Sequence, residues 1–560
     1  MTTPSLPSIT RRTALAAAAG ALAWRPSFGA APGSPGAQAL HLLDRAAYGP
    51  APGELERATR MGMDAWLDEQ LHPERLPLPG ALAQQLAALE TPKKSQHELV
   101  SRYRELESSA KRAIASVGSA SMAQFAAMEP ADRPRNPDMT ERRELVQLVH
   151  FEAGDARLLQ ALGSPRQLQE VMVEFWFNHF NVFDGKGLVK VLVESYEREA
   201  IRPNVFGRFR TMLGATAKHP AMLFYLDNWL SVAPGYQPRR RGGNRQLSGL
   251  NENYARELME LHTLGVDGGY TQADVTELAR MLTGWTLGGG YRLRDGGMDS
   301  GAGDSIFTFE ADRHDNGTKN WLGHGVGPNG IGEGEFALDT LARHPQTAKH
   351  IAFKLAQRFV ADDPPPALVE RVARRFLDTD GDLRAVVKAV IDSPEFRDPK
   401  YRGVKFKSPY QYVLSSVRAT GIATTNVRPL MATMTQLGQP LFGCPTPDGY
   451  KDTESAWLNP SAITQRVNFA TALASGRMPL VRLETPGKLR GNGEHAMAHE
   501  ADAAQQDGGA VSGSTRPVEV DALYATLGPA IGEKTRDAVA RSEPALRAAL
   551  VLGSPDFMRR

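Results

Sequence analysis

Leu250-Asn251-Glu252-Asn253-Tyr254-Ala255-Arg256-Glu257-Leu258-Met259-Glu260-Leu261-His262-Thr263-Leu264-Gly265 reads as an amphipathic helix. Apolar Tyr254, Leu258 and Leu261 recur at spacings of four and three, which puts them on one face. Asn251 suits the N-cap, Glu252 meets the positive end of the helix dipole, and Gly265 suits the position after the last turn. Working outward, the same period returns in His41–Arg45, Pro52–Leu71, Glu141–Leu162 and Ser164–Phe183. Thr271-Gln272-Ala273-Asp274 has the form of a capping box, and His344-Pro345 opens a further helix predicted to reach Val360. The one β signal is local: Phe307-Thr308-Phe309 and Lys319-Asn320-Trp321 flank Asp315-Asn316-Gly317, as in a small hairpin or turn. The expected fold is therefore mainly α, a large multi-helix globular body with a small β-hairpin or loop insertion.

The chain has 560 residues, 41% hydrophobic and 23% charged, an ordinary balance for a folded protein. Its net charge of +2 recruits neither nucleic acid nor an anionic membrane, so no nucleic-acid partner is expected. The one dense basic run, Arg239-Arg240-Arg241, sits among Pro, Gly and Asn as a solvated loop would. A single cysteine, Cys444, rules out an internal disulfide, a cysteine-held iron–sulfur cluster and a two-cysteine zinc site. In Leu-Phe-Gly-Cys-Pro it reads as a small buried hydrophobe.

Arg11-Arg12 precede an apolar run from Ala14 to Trp24 that has no polar face, and small residues follow at Gly29–Ala31. That layout predicts a twin-arginine signal peptide over residues 1–31 and a mature protein in the periplasm or outside the cell. Ala14 stands where Phe is common, and no Lys follows the arginine pair. No later segment reaches the roughly 20 apolar residues of a membrane span. The mature chain divides into a helical body over 36–484, a Gly-, Ser- and charge-rich linker over 485–517, and a short helical C-terminal segment over 518–560. Residues 95–128, polar throughout, read as an exposed helix pair or a poorly ordered insertion. The final Ser554-Pro555-Asp556-Phe557 echoes Ser393-Pro394-Glu395-Phe396, each closing a helix.

Three segments could carry chemistry. In the first, Glu257 and Glu260 lie on adjacent turns, where two carboxylates can bind a divalent metal ion or work as an acid–base pair. Glu252, Arg256 and Glu260 can equally pair with one another along the helix for a few tenths of a kcal/mol each. In the second, Asn178, His179 and Asn181 interrupt the aromatic run Phe175–Phe183. Buried polar groups there must find partners, whether a metal, a substrate or a backbone carbonyl. In the third, His314-Asp315 sit in a glycine-bounded loop that suits a general base or a turn. The candidate catalytic set is His179, Glu257, Glu260, His314 and Asp315. Asn178, Asn251, Asn253 and Arg256 are the candidate substrate-binding groups, and His179, Glu257 and Glu260 the candidate ligands of one divalent metal ion. No Gly-x-Ser-x-Gly elbow, His-Glu-x-x-His or Gly-x-x-x-x-Gly-Lys-Ser/Thr is present, and no dinucleotide Gly-x-Gly-x-x-Gly is expected after a strand.

An ordered set of short motifs resembles the bacterial "domain of unknown function 1800" family. The set comprises His41-Leu42-Leu43-Asp44-Arg45-Ala46-Ala47-Tyr48-Gly49-Pro50, Phe175-Trp176-Phe177-Asn178-His179-Phe180, Asn251-Glu252-Asn253-Tyr254-Ala255-Arg256-Glu257-Leu258, Leu282-Thr283-Gly284-Trp285 and Arg313-His314-Asp315. Lys407-Ser408-Pro409, Gly438–Gly443, Trp457-Leu458-Asn459 and Arg466-Val467-Asn468-Phe469 complete it. Leu250 replaces the usual Pro before Asn-Glu-Asn. The resemblance implies export, a helical fold and a partner from the sulfatase-like "domain of unknown function 1501" family, and it carries no established reaction. Two functions follow as expectations. One is an extracytoplasmic enzyme, metal- or acid/base-dependent, acting on an envelope or extracellular substrate. The other is a non-catalytic binding or assembly protein for that exported partner.

Overall fold

A computed structural model describes residues 34–115, 137–237, 249–288, 305–482 and 516–560. The twin-arginine segment, the arginine run at 239–241, residues 116–128 and nearly all of the 485–517 linker lie outside the described residues. Among the described residues helices dominate, and the two short antiparallel sheets are the β content, so the protein is mainly α with a small β insertion.

Local chemistry sets the helix boundaries. Ser34 accepts from the Ala37 amide to open Pro35–Ala46. Thr271 and Asp274 complete the capping box of Gln272–Met281, and the His344 ring accepts from the Gln346 amide at the head of Pro345–Phe359. Ser393 and Ser554 each accept from the amide of the Phe three residues on. Phe396 and Phe557 are both buried, so the sequence echo is a repeated structural device. The polar stretch after Ser95 starts as one helix, Gln96–Ala115, packed against Pro137–Gly163.

One hydrophobic cluster runs from the first helix to Met558. The Gln167–His179 helix lies in it with Trp176 and Phe180 fully buried. Each such side chain contributes about 1.5–3 kcal/mol on leaving water. The C-terminal segment belongs to the same core: Leu523 and Leu527 are buried, and the Arg560 amide donates to the Lys405 carbonyl at 2.8 Å.

The β insertion pairs differently from the hairpin its turn residues suggest. β1 (Trp285–Leu287) pairs with β2 (Phe307–Phe309), and β3 (Lys319–Trp321) pairs with β4 (His324–Val326). Phe307–Phe309 and Lys319–Trp321 are thus in separate sheets. In the segment between them, Asp315 accepts from Arg280 on the Gln272–Met281 helix at 2.8 and 3.2 Å.

Candidate functional site

Two helices and two loops meet around a cleft of about 400 Å³. The adjacent pairs Glu174-Phe175 and Asn178-His179 lie four residues apart near the end of Gln167–His179, so they share one side of the helix. Facing them, His350, Lys354 and Arg358 recur every fourth residue on Pro345–Phe359. Leu261 and Val266, after the Glu252–Glu260 helix, form a third wall. Asp448–Thr453 forms the fourth.

The fourth wall is tied down by Asn178. Its side chain accepts from the Tyr450 amide at 2.7 Å and donates to the Tyr450 carbonyl at 2.8 Å. Gly449 permits this approach: at φ +69° it takes a left-handed conformation, and a Cβ there would lie 2.2 Å from the Asn178 carbonyl oxygen. Arg358 bridges the walls by pairing with Glu174 and lying 3.6 Å from Asp452. Burial pushes the Asp452 carboxyl up, but Lys405, Arg358 and Arg560 outweigh it and keep it below its ordinary value.

The imidazoles are different, because their hydrogen bonding is incomplete. His179 Nε2 lies 3.1 Å from the His262 carbonyl oxygen. A carbonyl only accepts, so Nε2 carries the proton and Nδ1 the lone pair. Nδ1 is buried and has no partner. His350 donates to the Leu261 backbone, and its buried Nε2 likewise has none. The His262 Nε2 is a third such atom. The His179 ring centroid lies 6.3 Å from that of His262 and 6.1 Å from that of His350. Burial, reinforced by Lys354, lowers all three: His179 well below its ordinary value, His262 to about 3 and His350 to about 4. All three are neutral at pH 7, and the His179 Nδ1 and His350 Nε2 lone pairs go unused at a cost of about 1–3 kcal/mol each. Lys354 lies among them and makes no hydrogen bond or ion pair with a described residue. Burial, with Lys451 adding to it, lowers its ammonium to about 8.

The other candidates spread around this centre. The Glu257 side chain makes no hydrogen bond or ion pair among the described residues. Burial, then the Glu260 carboxylate, raise its carboxyl, and Asp448 adds to the rise. Glu260 instead accepts from the Tyr270 hydroxyl at 2.9 Å. Glu252 accepts from Gln272 and Thr276 and lies 4.0 Å from Arg256, whose guanidinium also donates to Gln272. Asn251 caps its helix through the Asn253 amide and donates to the Leu226 carbonyl, while the Asn253 side chain is exposed. These four act in the helix and its contacts. Asn181 donates to the Cys444 and Thr446 carbonyls and so supports the fourth wall from below. Cys444 itself is buried and free.

His314 and Asp315 belong to another network. His314 Nδ1 meets the Thr283 carbonyl at 2.9 Å and Nε2 meets Glu333 at 3.0 Å, so neither nitrogen is spare. Glu333 also holds the fully buried Lys319 at 2.6 Å. The structure thus does not bring His314 to His179. Among the described residues no group of three or more His, Cys, Asp or Glu side chains is arranged to hold a metal ion, and His179, Glu257 and Glu260 form no such group. The spacing Gly325-Val326-Gly327-Pro328-Asn329-Gly330 does match Gly-x-Gly-x-x-Gly and leads from β4 into the Ile331–Arg343 helix. β4 lies in a two-stranded antiparallel ribbon, so the parallel strand–helix–strand setting of a dinucleotide site is missing.

His350, Lys354, Asp448 and Asp452 were not singled out by sequence reasoning. The signal that could have found three wall residues is the stripe His350, Lys354, Arg358, at every fourth position of the Pro345–Phe359 helix.

Residues 41–559 match the model of a family described as protein of unknown function (DUF1800), which spans nearly the whole chain. The protein belongs to that family. No curated protein and no solved structure matches it. Among the described residues, no helix is long and apolar enough to cross a membrane.

Proposed function

We propose that this protein is an exported enzyme that performs acid–base chemistry in the cleft between Gln167–His179 and Pro345–Phe359, on a substrate of the envelope or the extracellular space. The observation that carries the reading is the pair of orphaned lone pairs, His179 Nδ1 and His350 Nε2, buried at the wall of a 400 Å³ cleft. A folded protein gains nothing from leaving buried acceptors unpaired, whereas a general base needs an open lone pair. Neutral imidazole suits that role because its lone pair stays open to a proton-bearing group of a bound molecule at neutral pH. Asp448 supplies negative charge at the cleft wall. Delivery rests on Arg11-Arg12 and the apolar run behind them.

The test is to incubate mature protein with an extract of its own cell envelope and follow the small molecules by mass spectrometry. Wild-type protein should deplete at least one species. His179→Gln and His350→Gln, checked for fold by circular dichroism, should fail to deplete it. Depletion that persists in both variants overturns the site assignment. No depletion by any form favours the binding-protein reading, in which a sulfatase-like exported partner would be sought by pull-down.

A further inference from the structure

We propose that the Lys354 amine is a nucleophile that condenses with the carbonyl group of an apolar aldehyde or ketone held in this cleft. The proposal rests on the reading of the cleft as the site, and takes it further by naming the reacting atom and the substrate class.

The geometry separates Lys354 from the other cations of the wall. Arg358 is committed to Glu174 and Asp452, and Lys451 lies 2.6 Å from Asp448. Lys354, one helical turn from His350 and one from Arg358, has no ion-pair or hydrogen-bond partner among the described residues. A lysine placed only for charge balance would be drawn to a carboxylate. Its neighbours are instead imidazoles that are neutral at pH 7 and give its charge no counter-ion. His350 faces it from its own helix, His179 from Gln167–His179, and His262 from the segment after Glu260. From the fourth wall, Lys451 favours loss of the proton, while Asp448 and Asp452 oppose it. The balance leaves the amine mainly protonated at pH 7 but about a tenth free, far more than in an ordinary lysine.

The step balances as follows. The ammonium, its affinity for the proton lowered by burial, gives that proton to solvent. The amine lone pair forms a C–N bond to the carbonyl carbon, and the oxygen collects a proton to give a carbinolamine. Loss of water with the remaining N–H proton yields the imine. The mouth indicates what else the substrate carries. Val266 is 68% exposed and Phe353 39% exposed, both on the cleft rim, and Leu261 lies beside them. Large apolar side chains held open to water at a cleft mouth fit an apolar substituent on the carbonyl compound.

The experiment uses hexanal as the probe. Full-length mature protein is treated with limiting hexanal and sodium cyanoborohydride between pH 6 and pH 10, which traps imines as secondary amines. Peptide mass spectrometry then reads the rate at each lysine. At pH 7, Lys354 should be alkylated about tenfold or more faster than the exposed Lys349 of the same helix, and the ratio should fall toward one by pH 10. Denatured protein should show no preference. Lys354 reacting at or below the Lys349 rate in folded protein overturns the proposal. The outcomes for the two readings separate. Selective Lys354 labelling, together with envelope turnover that survives His179→Gln and His350→Gln, removes the acid–base assignment and keeps the nucleophile. Turnover lost in those variants without selective labelling does the reverse.

Discussion

Replacing Lys354 by Met should make the protein more stable at neutral pH. Met keeps most of the aliphatic stem and removes the ammonium. Burial lowers that ammonium from 10.5 to about 8 in the folded chain. At ~1.4 kcal/mol per decade, holding it charged costs about 3 kcal/mol, and partial exposure of the side chain brings the expected gain to about 1–3 kcal/mol. The sign follows from proton counting. Between pH 8 and 10.5 the unfolded chain keeps the proton that the folded chain has lost, so wild-type stability rises with pH across that window. Below pH 8 both states are protonated and the full cost is present. The variant should therefore exceed wild type at pH 7, with the advantage shrinking as pH approaches 10.5. Guanidinium unfolding followed by circular dichroism, for both proteins at pH 7 and pH 10, measures this. A variant no more stable at pH 7, or an advantage equal at both pH values, would refute the placement of an unpaired buried ammonium in the cleft.

Three further outcomes are expected. Glu333→Gln should destabilise by about 3–5 kcal/mol in the same unfolding assay, because it takes the carboxylate from a fully buried Lys319. Asn178→Ala should cost about 1–3 kcal/mol by leaving both polar groups of the Tyr450 backbone unpaired, and hydrogen exchange should rise at Tyr450 while that at Lys319 stays unchanged. Arg11→Lys with Arg12→Lys should leave the unprocessed precursor in the cytoplasmic fraction, read by immunoblot after fractionation; normal export of that variant removes the twin-arginine assignment.

How much of the site could be read from the chain depended on the range of the interaction. His179 stood out because a histidine in an aromatic helix demands a partner, and it does line the cleft. The carboxylates of Glu252–Glu260 stood out for their spacing, but spacing cannot say which side chains a neighbouring helix will satisfy. Tyr270 takes Glu260, Gln272 and Thr276 take Glu252, and the Glu257 side chain is left without a hydrogen bond or ion pair among the described residues. His314 looked the equal of His179 as a polar residue in a motif. Its two nitrogens are consumed by Thr283 and Glu333, the second from a helix that begins 17 residues later.

The amino-acid sequence by itself determined the helical class, the capping box at Thr271, the Ser-Pro corners at Ser393 and Ser554, and the family. All of these rest on period, caps and short ordered motifs within a few residues. Only the tertiary structure decided the strand pairing of the β insertion, the separation of His314 from His179, and the convergence of His179, His262, His350 and Lys354. Those depend on which buried groups find partners across 80 to 270 residues of chain, as in His179 with the His262 carbonyl and Asn178 with Tyr450. Hydrogen-bond satisfaction at that range is settled when helices pack, and local periodicity carries no record of it.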